Sequence, residues 1–589
     1  MHIKINGHSR THRLKSIITL STMKKLTLTR TLATTVIWLV SQQSVQPAEP
    51  FGIQGNIGIF YDMYNYSTLG YDDFRPRFPS DLARFSAHAT VTAGKHFSMP
   101  FGIDITNQST AYHLPSLPEE RLIDYVQNPR NNININPTYK WAQAYLGSQS
   151  PNFSSLTTGD IPIFGVGIEL NPGKFLFSAH YGRSQLAINA NPVENIVGAY
   201  EQRILASRIG FGQAGGTLFT LNMVYRNDEE SSVDMPPAGL QPQQGFTLSP
   251  RLQIQISETV KLVTETAGSA FSHDLNGPAM PMESELLDQA GNLITVNGST
   301  NTDFSNISSL EWQSSHVGLG GEVRYIGPGF EPVGYRAMER DLIDYNLKAN
   351  LRLWDNRLLL NGTAGIRQNN LQNNQAESTT RIIANANLYT QITEAFNIST
   401  MYSNFGFRNN VLFDTLKVEM IQNMFSVTPG LQVTRNNINH IINATASIQL
   451  FDEFNVFTGE FISTRSTSYN ASYNLVFTSI PFNIGLMGMY LQNETPAMDL
   501  DLYHIGLTAR YRIMGNRLIP SVMLAHSGIT REGFTTDHRW RANLRASYEV
   551  RQSMELRLGY TYSYYQYGSV RNDAATHEHR LQISLAQRF

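Results

Sequence analysis

"HRLQISLAQRF", His579–Phe589, is the stretch on which the fold turns. In an extended chain successive side chains point to opposite faces. Leu581, Ile583, Leu585 and Phe589 therefore share one face, and Arg580, Gln582, Ser584, Ala586 and Arg588 share the other. One alternating segment is weak evidence, because any half-buried strand alternates. Moving outward, the pattern recurs. In "MELRLGYTYSYY" (554–565), Met554, Leu556, Leu558, Tyr560, Tyr562 and Tyr564 oppose Glu555, Arg557, Gly559, Thr561 and Ser563. In "WRANLRASYEV" (540–550), Trp540, Ala542, Leu544, Ala546, Tyr548 and Val550 oppose Arg541, Asn543, Arg545, Ser547 and Glu549. "YHIGLTARYRI" (503–513) sets an apolar row against His504, Thr508, Arg510 and Arg512. "IDYNLKANLRLW" (343–354) sets one against Asp344, Asn346, Lys348, Asn350 and Arg352.

From Phe51 onward the chain repeats such segments with almost no helical periodicity between them. A soluble sandwich of 589 residues would show fully apolar buried strands and domain breaks. A transmembrane barrel alternates apolar-out and polar-in along every strand. Charged residues are 16%, against roughly 25% in an average soluble domain, and aromatics are 11%, with 27 Tyr and 30 Phe. Mean hydropathy is nevertheless −0.26. There is no cysteine, which excludes disulfides, thiol catalysis and thiolate metal sites. A net charge of −2 gives no reason to expect nucleic acid as a partner.

Link lengths give a second line of argument. Short links fall at 551–553, 514–517, 479–482, 435–439, 393–395, 354–357, 212–216 and 171–173, alternating with longer, more polar ones. Short periplasmic turns and longer outer loops are the rule in transmembrane barrels. The parity puts both termini on the periplasmic side. It breaks near Asn107–Pro137, where the count is about 25 and a closed barrel wants an even number. A strand hidden near "NNININ" (131–136), or a segment crossing the lumen, resolves this. The expectation is an all-β, single antiparallel up-and-down barrel of 26 strands over residues 49–589, with 24 the alternative.

Residues 1–48 read as an N-terminal extension plus secretory signal. "MKKLTLTRTLATTVIWLV" (23–40) has two lysines and then an apolar run, too short to span comfortably as an anchor. Cleavage is expected between Ser41 and Ala48.

The signal, the alternating strands, the lack of cysteine and the terminal Phe589 together resemble the outer-membrane β-barrel proteins of Gram-negative bacteria. "NPTYKWAQAYLG", "GIELNPGKFLFSAHYGR" and "YIGPGFEPVGY" look like segments of large plug-less barrels of uncharacterised function. The class resemblance implies an outer-membrane location, lipid contacts, and a terminal aromatic, Phe589, recognised by the barrel-assembly machinery. It carries over no catalytic residues.

Candidate sites are few. "HEH" (577–579) sets two histidines on one face near the outer rim, half a metal site at most or a solvated loop end. His526 and Ser527 are adjacent and so point to opposite faces, which bars a nucleophile–base pair. No cofactor, catalytic set or metal set is expected. Arg352, Arg510, Arg512, Arg541, Arg545, Arg557 and Arg580 lie on polar faces and are the lumen-facing candidates. They serve either as a ladder of paired charges or as an anion-preferring lining.

The first strand, "FGIQGNIGIFYDMYNY", begins at the expected cleavage site, with no plug or periplasmic module before it. A barrel of this girth with an empty lumen would leak. Loops 107–137, 227–247 and 273–302 are the expected fillers, or else a partner. The leading functional expectation is a conduit or anchor for a larger cargo or surface protein. A diffusion porin and, less favoured, an outer-membrane enzyme are the alternatives.

Overall fold

The computed structural model describes residues 51–70, 74, 76–106, 131–159, 161–191, 196–279, 291–335, 338–373, 377–411, 419–455, 460–568 and 574–589. Its strands are β1 Phe51–Leu69, β2 Asp81–Ala93, β3 Phe97–Thr106, β4 Asn132–Ile135, β5 Thr138–Tyr139, β6 Ala142–Gln149, β7 Ile163–Leu170, β8 Phe175–Gln185 and β9 Glu201–Gly212. Next come β10 Leu218–Glu229, β11 Gln244–Gln255, β12 Val260–Ser272, β13 Thr300–Gln313, β14 Val317–Ile326, β15 Leu342–Leu353, β16 Leu358–Asn369, β17 Glu377–Gln391 and β18 Phe396–Val411. The last are β19 Glu419–Arg435, β20 Ile438–Asn455, β21 Glu460–Phe477, β22 Phe482–Glu494, β23 Leu500–Tyr511, β24 Leu518–Arg531, β25 Asp537–Arg551, β26 Met554–Gln566 and β27 Ala575–Arg588. No described helix is long and apolar enough to cross a membrane.

Apart from β4 and β5, which do not pair with each other, consecutive strands pair antiparallel, and β1 pairs with β27 from Asn56↔Arg588 to Leu69↔Ala575. The ladder is closed. β4 and β5 both lie between β3 and β6, so they are two halves of one stave. The break falls at Pro137, which has no N–H to give a ladder. Twenty-seven strands less one gives a 26-stave barrel, and the stave missing from the alternation count is "NINI" at Asn132–Ile135. With strands about 4.8 Å apart and tilted about 40°, 26 staves give a backbone diameter of about 50 Å.

One face of the closed sheet is apolar and exposed, the other polar. On β25, Trp540 and Leu544 are 53% and 51% exposed. They alternate with Arg541, Asn543 and Arg545. The apolar face carries aromatic pairs eight positions apart: Phe304 and Trp312, Tyr469 and Phe477, Phe482 and Tyr490, Tyr503 and Tyr511, Trp540 and Tyr548. Each pair brackets nine residues counted inclusively, within the roughly 9–11 of a tilted strand that spans a bilayer. The pairs line up across strands. Tyr469 faces Tyr490, and Tyr490 faces Tyr503; at the other level Phe482 faces Tyr511, with the Phe477 ring 5.7 Å from Phe482. Two aromatic belts thus flank an apolar band.

The strands run past the upper belt, the one that holds Tyr469, Tyr490, Tyr503 and Trp540. β20 and β21 have 18 residues each. Stretches expected as longer links, 451–464 and 527–538, are largely ladder instead: β20 runs to Asn455, β21 begins at Glu460, and only residues 532–536 separate β24 from β25. Antiparallel pairing satisfies backbone groups whether or not the side chains face lipid, so the ladder persists beyond the apolar band.

Candidate functional site

Two links fold back onto the polar face. Pro151–Gly159, between β6 and β7, and Gly327–Tyr335, between β14 and β15, lie against it and against each other. Phe153 packs with Ile163, Ile204, Ala206, Val224, Phe271 and Val333. Leu156 packs with Ala267, Ile326, Phe330 and Leu342. Thr158 and Gly334 form a parallel bridge. A Cβ on Gly334 would lie 2.0 Å from the Thr157 carbonyl, so only glycine permits this approach.

Buried polar groups pin the two links to the wall. Glu265 accepts from Ser249 Oγ at 2.6 Å and from Ser154 Oγ, with Arg251 3.9 Å away. Ser269 Oγ accepts from the Glu331 N–H at 2.9 Å, and Thr247 Oγ1 from the Val333 N–H at 3.3 Å. Tyr335 Oη donates to the Ser154 carbonyl at 2.8 Å. Each buried carboxylate or hydroxyl here is satisfied, as burial requires.

These are not the expected fillers. Residues 107–130 lie outside the described residues. The described parts of 227–247 and 273–302 join each other through Thr295 N–H to Gln244 Oε1 (2.7 Å) and Leu275 N–H to the Pro242 carbonyl (2.9 Å). The missed signal was the loss of alternation in β9, β10 and β12, where Ile204, Val224 and Phe271 put apolar side chains on the otherwise polar face.

The arginines divide. Arg557 binds Glu555 with Nε at 2.8 Å and Nη2 at 2.7 Å. Arg580 Nε lies 3.0 and 2.9 Å from the two Asp62 carboxylate oxygens, and Gln582 Nε2 donates to Asp62 at 3.2 Å. Arg352, Arg510, Arg512, Arg541 and Arg545 have no carboxylate partner among the described residues. All five are exposed. Arg367, not among the candidates, makes a two-pronged pair with Asp344 at 2.6 and 2.7 Å.

A latch spans the seam between β27 and β1. Tyr64 Oη donates to Glu578 at 2.9 Å, and Arg77 Nε lies 3.5 Å from the same carboxylate. The Arg77 guanidinium stands 4.5 Å over the Tyr565 ring, and Arg580 stands 3.8 Å over Phe78. The link after β1 is thereby tied across the closure.

Two Ser–His contacts occur on the polar face. Ser178 Oγ is 2.9 Å from His180 Nε2, and His180 Nδ1 is 2.7 Å from Gln149 Oε1. The order is that of nucleophile, base and orienter. But Ser178 is 1% exposed and His180 4%, with the Phe153 ring 5.9 Å from the imidazole. A hydroxyl so covered presents no attack path, and the set is a buried polar contact within the wall. Ser527 Oγ meets His504 Nδ1 at 2.7 Å. His526 points the other way, stacked 4.0 Å on Trp540.

The "HEH" histidines also face the apolar side. His579 Nδ1 is 2.8 Å from Tyr560 Oη and His577 Nδ1 is 2.9 Å from Tyr562 Oη. They belong to the upper aromatic belt and not to a solvated loop end. No group of three metal-ligating residues occurs among the described residues.

No protein-family model and no curated protein matches the chain. Solved structures with similar folds include the P pilus usher (PapC) translocation pore, 10% identical, covering 92% of this chain and 99% of that one at a TM-score of 0.33. FpvA of P. aeruginosa, bound to heterologous pyoverdines, is 8% identical and covers 92% of this chain and 72% of its own, at 0.36. The outer membrane protein opdK from Pseudomonas aeruginosa is 13% identical and covers 65% and 99%, at 0.28. The fold assignment itself rests on the closed ladder.

Proposed function

We propose that this chain is an outer-membrane barrel whose polar face lines a water-filled passage, narrowed by its own links. The apolar band between two aromatic belts supports the membrane location, since only a closed ladder satisfies every backbone group in lipid. The observation that carries the passage reading is the packing of Pro151–Gly159 and Gly327–Tyr335 against β9–β12. Two links of nine residues each cover one sector of a wall about 50 Å across. They leave Asn, Ser, Thr and Arg side chains of β16–β25 facing the interior. In this reading residues 23–40 direct export, both termini are periplasmic, and Phe589 is read by the barrel-assembly machinery.

A narrowed passage suits diffusion of small hydrophilic solutes. The wider reading, a conduit or anchor for a larger cargo or surface protein, draws on the girth of 26 staves. Conductance in planar bilayers tests both. A steady modest conductance that rises when Pro151–Gly159 is replaced by a short Gly–Ser linker supports the narrowed passage. A very large conductance unaffected by that replacement supports the conduit. No conductance from either form sinks the passage.

A further inference from the structure

The polar face carries like charges that are left open. Arg510 on β23 stands in register with Ser521 on β24, and Ser521 with Arg545 on β25. Two strand spacings put the two arginine backbones about 10 Å apart. Arg541 is four residues from Arg545 on the same strand and face, about 13 Å along it. The residues beside them are small: Ser521, Ala525, Gly559 and Ser563. Between Arg541 and Arg545 on the same face stands Asn543, paired with Met523 and donating to Thr561 Oγ1 at 2.7 Å, so a polar amide bridges the two arginine positions. A Cβ on Gly559 would stand 3.7 Å from the Gln582 Cβ and Oε1 and 4.0 Å from the Arg545 Cγ.

Three of the neighbouring carboxylates are already engaged. Asp62 is held by Arg580, Glu555 by Arg557, and Asp537 by Arg531 at 2.6 Å. Glu549 lies four residues past Arg545 on the same face and forms no ion pair with it. Within one sector the described residues therefore include arginines that brace the wall and arginines that form no ion pair. An unpaired, exposed guanidinium keeps five donors in a planar fork that fits carboxylate and phosphate oxygens two at a time. Three of them on one concave wall reinforce one another in a confined space.

We infer that Arg510, Arg541 and Arg545 form a binding site for multivalent oxyanions, solutes carrying two or more carboxylate or phosphate groups. Their long side chains can converge from these positions onto a compact ligand, each fork taking one of its anionic groups. A monovalent anion meets one fork at a time and is held weakly. The site rests on the passage reading for its use, since there it selects what crosses, but binding itself needs no conduction.

The test separates the two. Citrate binding to the full-length barrel in detergent is measured by calorimetry, against chloride. The wild type is expected to bind citrate, and each of R510Q, R541Q and R545Q to weaken binding by about tenfold, the loss of one charge-assisted contact. R557Q, which breaks a pair outside the site, is expected to change it little. In bilayers the triple variant R510Q/R541Q/R545Q is expected to shift the reversal potential in a KCl gradient toward cations. Undetectable citrate binding by the folded wild type, or equal effects of R557Q and the three site variants, overturns the site. Citrate binding with the expected variant pattern but no conductance leaves the site standing and overturns the passage.

Discussion

Gly55 and Phe589 exchange both backbone hydrogen bonds, Gly55 N–H to the Phe589 carbonyl at 2.8 Å and Phe589 N–H to the Gly55 carbonyl at 3.0 Å. This pair extends the β1–β27 ladder to the last residue of the chain. It is also tight. A Cβ on Gly55 would lie 2.4 Å from the His88 carbonyl of β2 and 2.6 Å from the Ala89 methyl. Gly55→Val is therefore expected to impair closure both in cells and on refolding in detergent. Removing Phe589 costs one ladder pair and about 1.5–3 kcal/mol of apolar contact. If its role is recognition during assembly, deletion lowers the amount in the outer membrane sharply while refolding in detergent stays near normal. Normal membrane levels of the deletion variant would falsify the assembly role.

The two faces of β25 predict opposite tolerances. Leu544 lies midway between Trp540 and Tyr548 on the apolar face. Leu544→Arg should cost about 2–4 kcal/mol at that depth. Arg545→Ser, on the polar face, should cost less than about 1 kcal/mol. Denaturant titration in lipid vesicles measures both, and equal costs would reverse or abolish the face assignment.

The seam latch predicts a charge-swap result. Asp62 is 5% exposed and carries the Arg580 guanidinium. Asp62→Ala leaves that cation without its partner and should destabilise the barrel by roughly 1–3 kcal/mol. The double variant D62R/R580D should recover part of the loss. Failure to recover, with both single variants folded, would show that geometry and not charge pairing holds the seam.

The inward links predict a change in conductance without loss of the barrel. Glu265→Ala removes the acceptor shared by Ser154 and Ser249. It should raise single-channel conductance while the heat-modifiable mobility of the folded barrel on gels persists. An unchanged conductance would mean that Pro151–Gly159 stays seated without that contact.

Orientation is checked by tags. Gly533 sits in the link between β24 and β25, and Gly515 in the tight turn between β23 and β24; both have positive φ, +78° and +64°. Labelling of intact cells should reach a tag at Gly533 and not one at Gly515. The complementary position Asn572 lies outside the described residues.

The period-two alternation by itself determined the barrel and its faces, and brought its girth to 26 staves or 24. That information is local: a strand shows which side chains share a face without reference to any other strand. The parity of a closed ladder called for one stave more or one fewer, and the strand at Asn132–Ile135 settled it at 26. Arg557 and its partner Glu555 lie two residues apart on one face, so that pair too was within reach of the sequence. What fills the interior was decided only in three dimensions. Arg580 finds Asp62 across 518 positions, and Ser154 finds Glu265 across 111. Whether a polar-face arginine is braced or free depends on which neighbour the register sets beside it. The seating of Phe153 and Phe330 depends on apolar residues from strands far apart in sequence. Closure of the sheet brings these groups together, and no single strand carries a record of it.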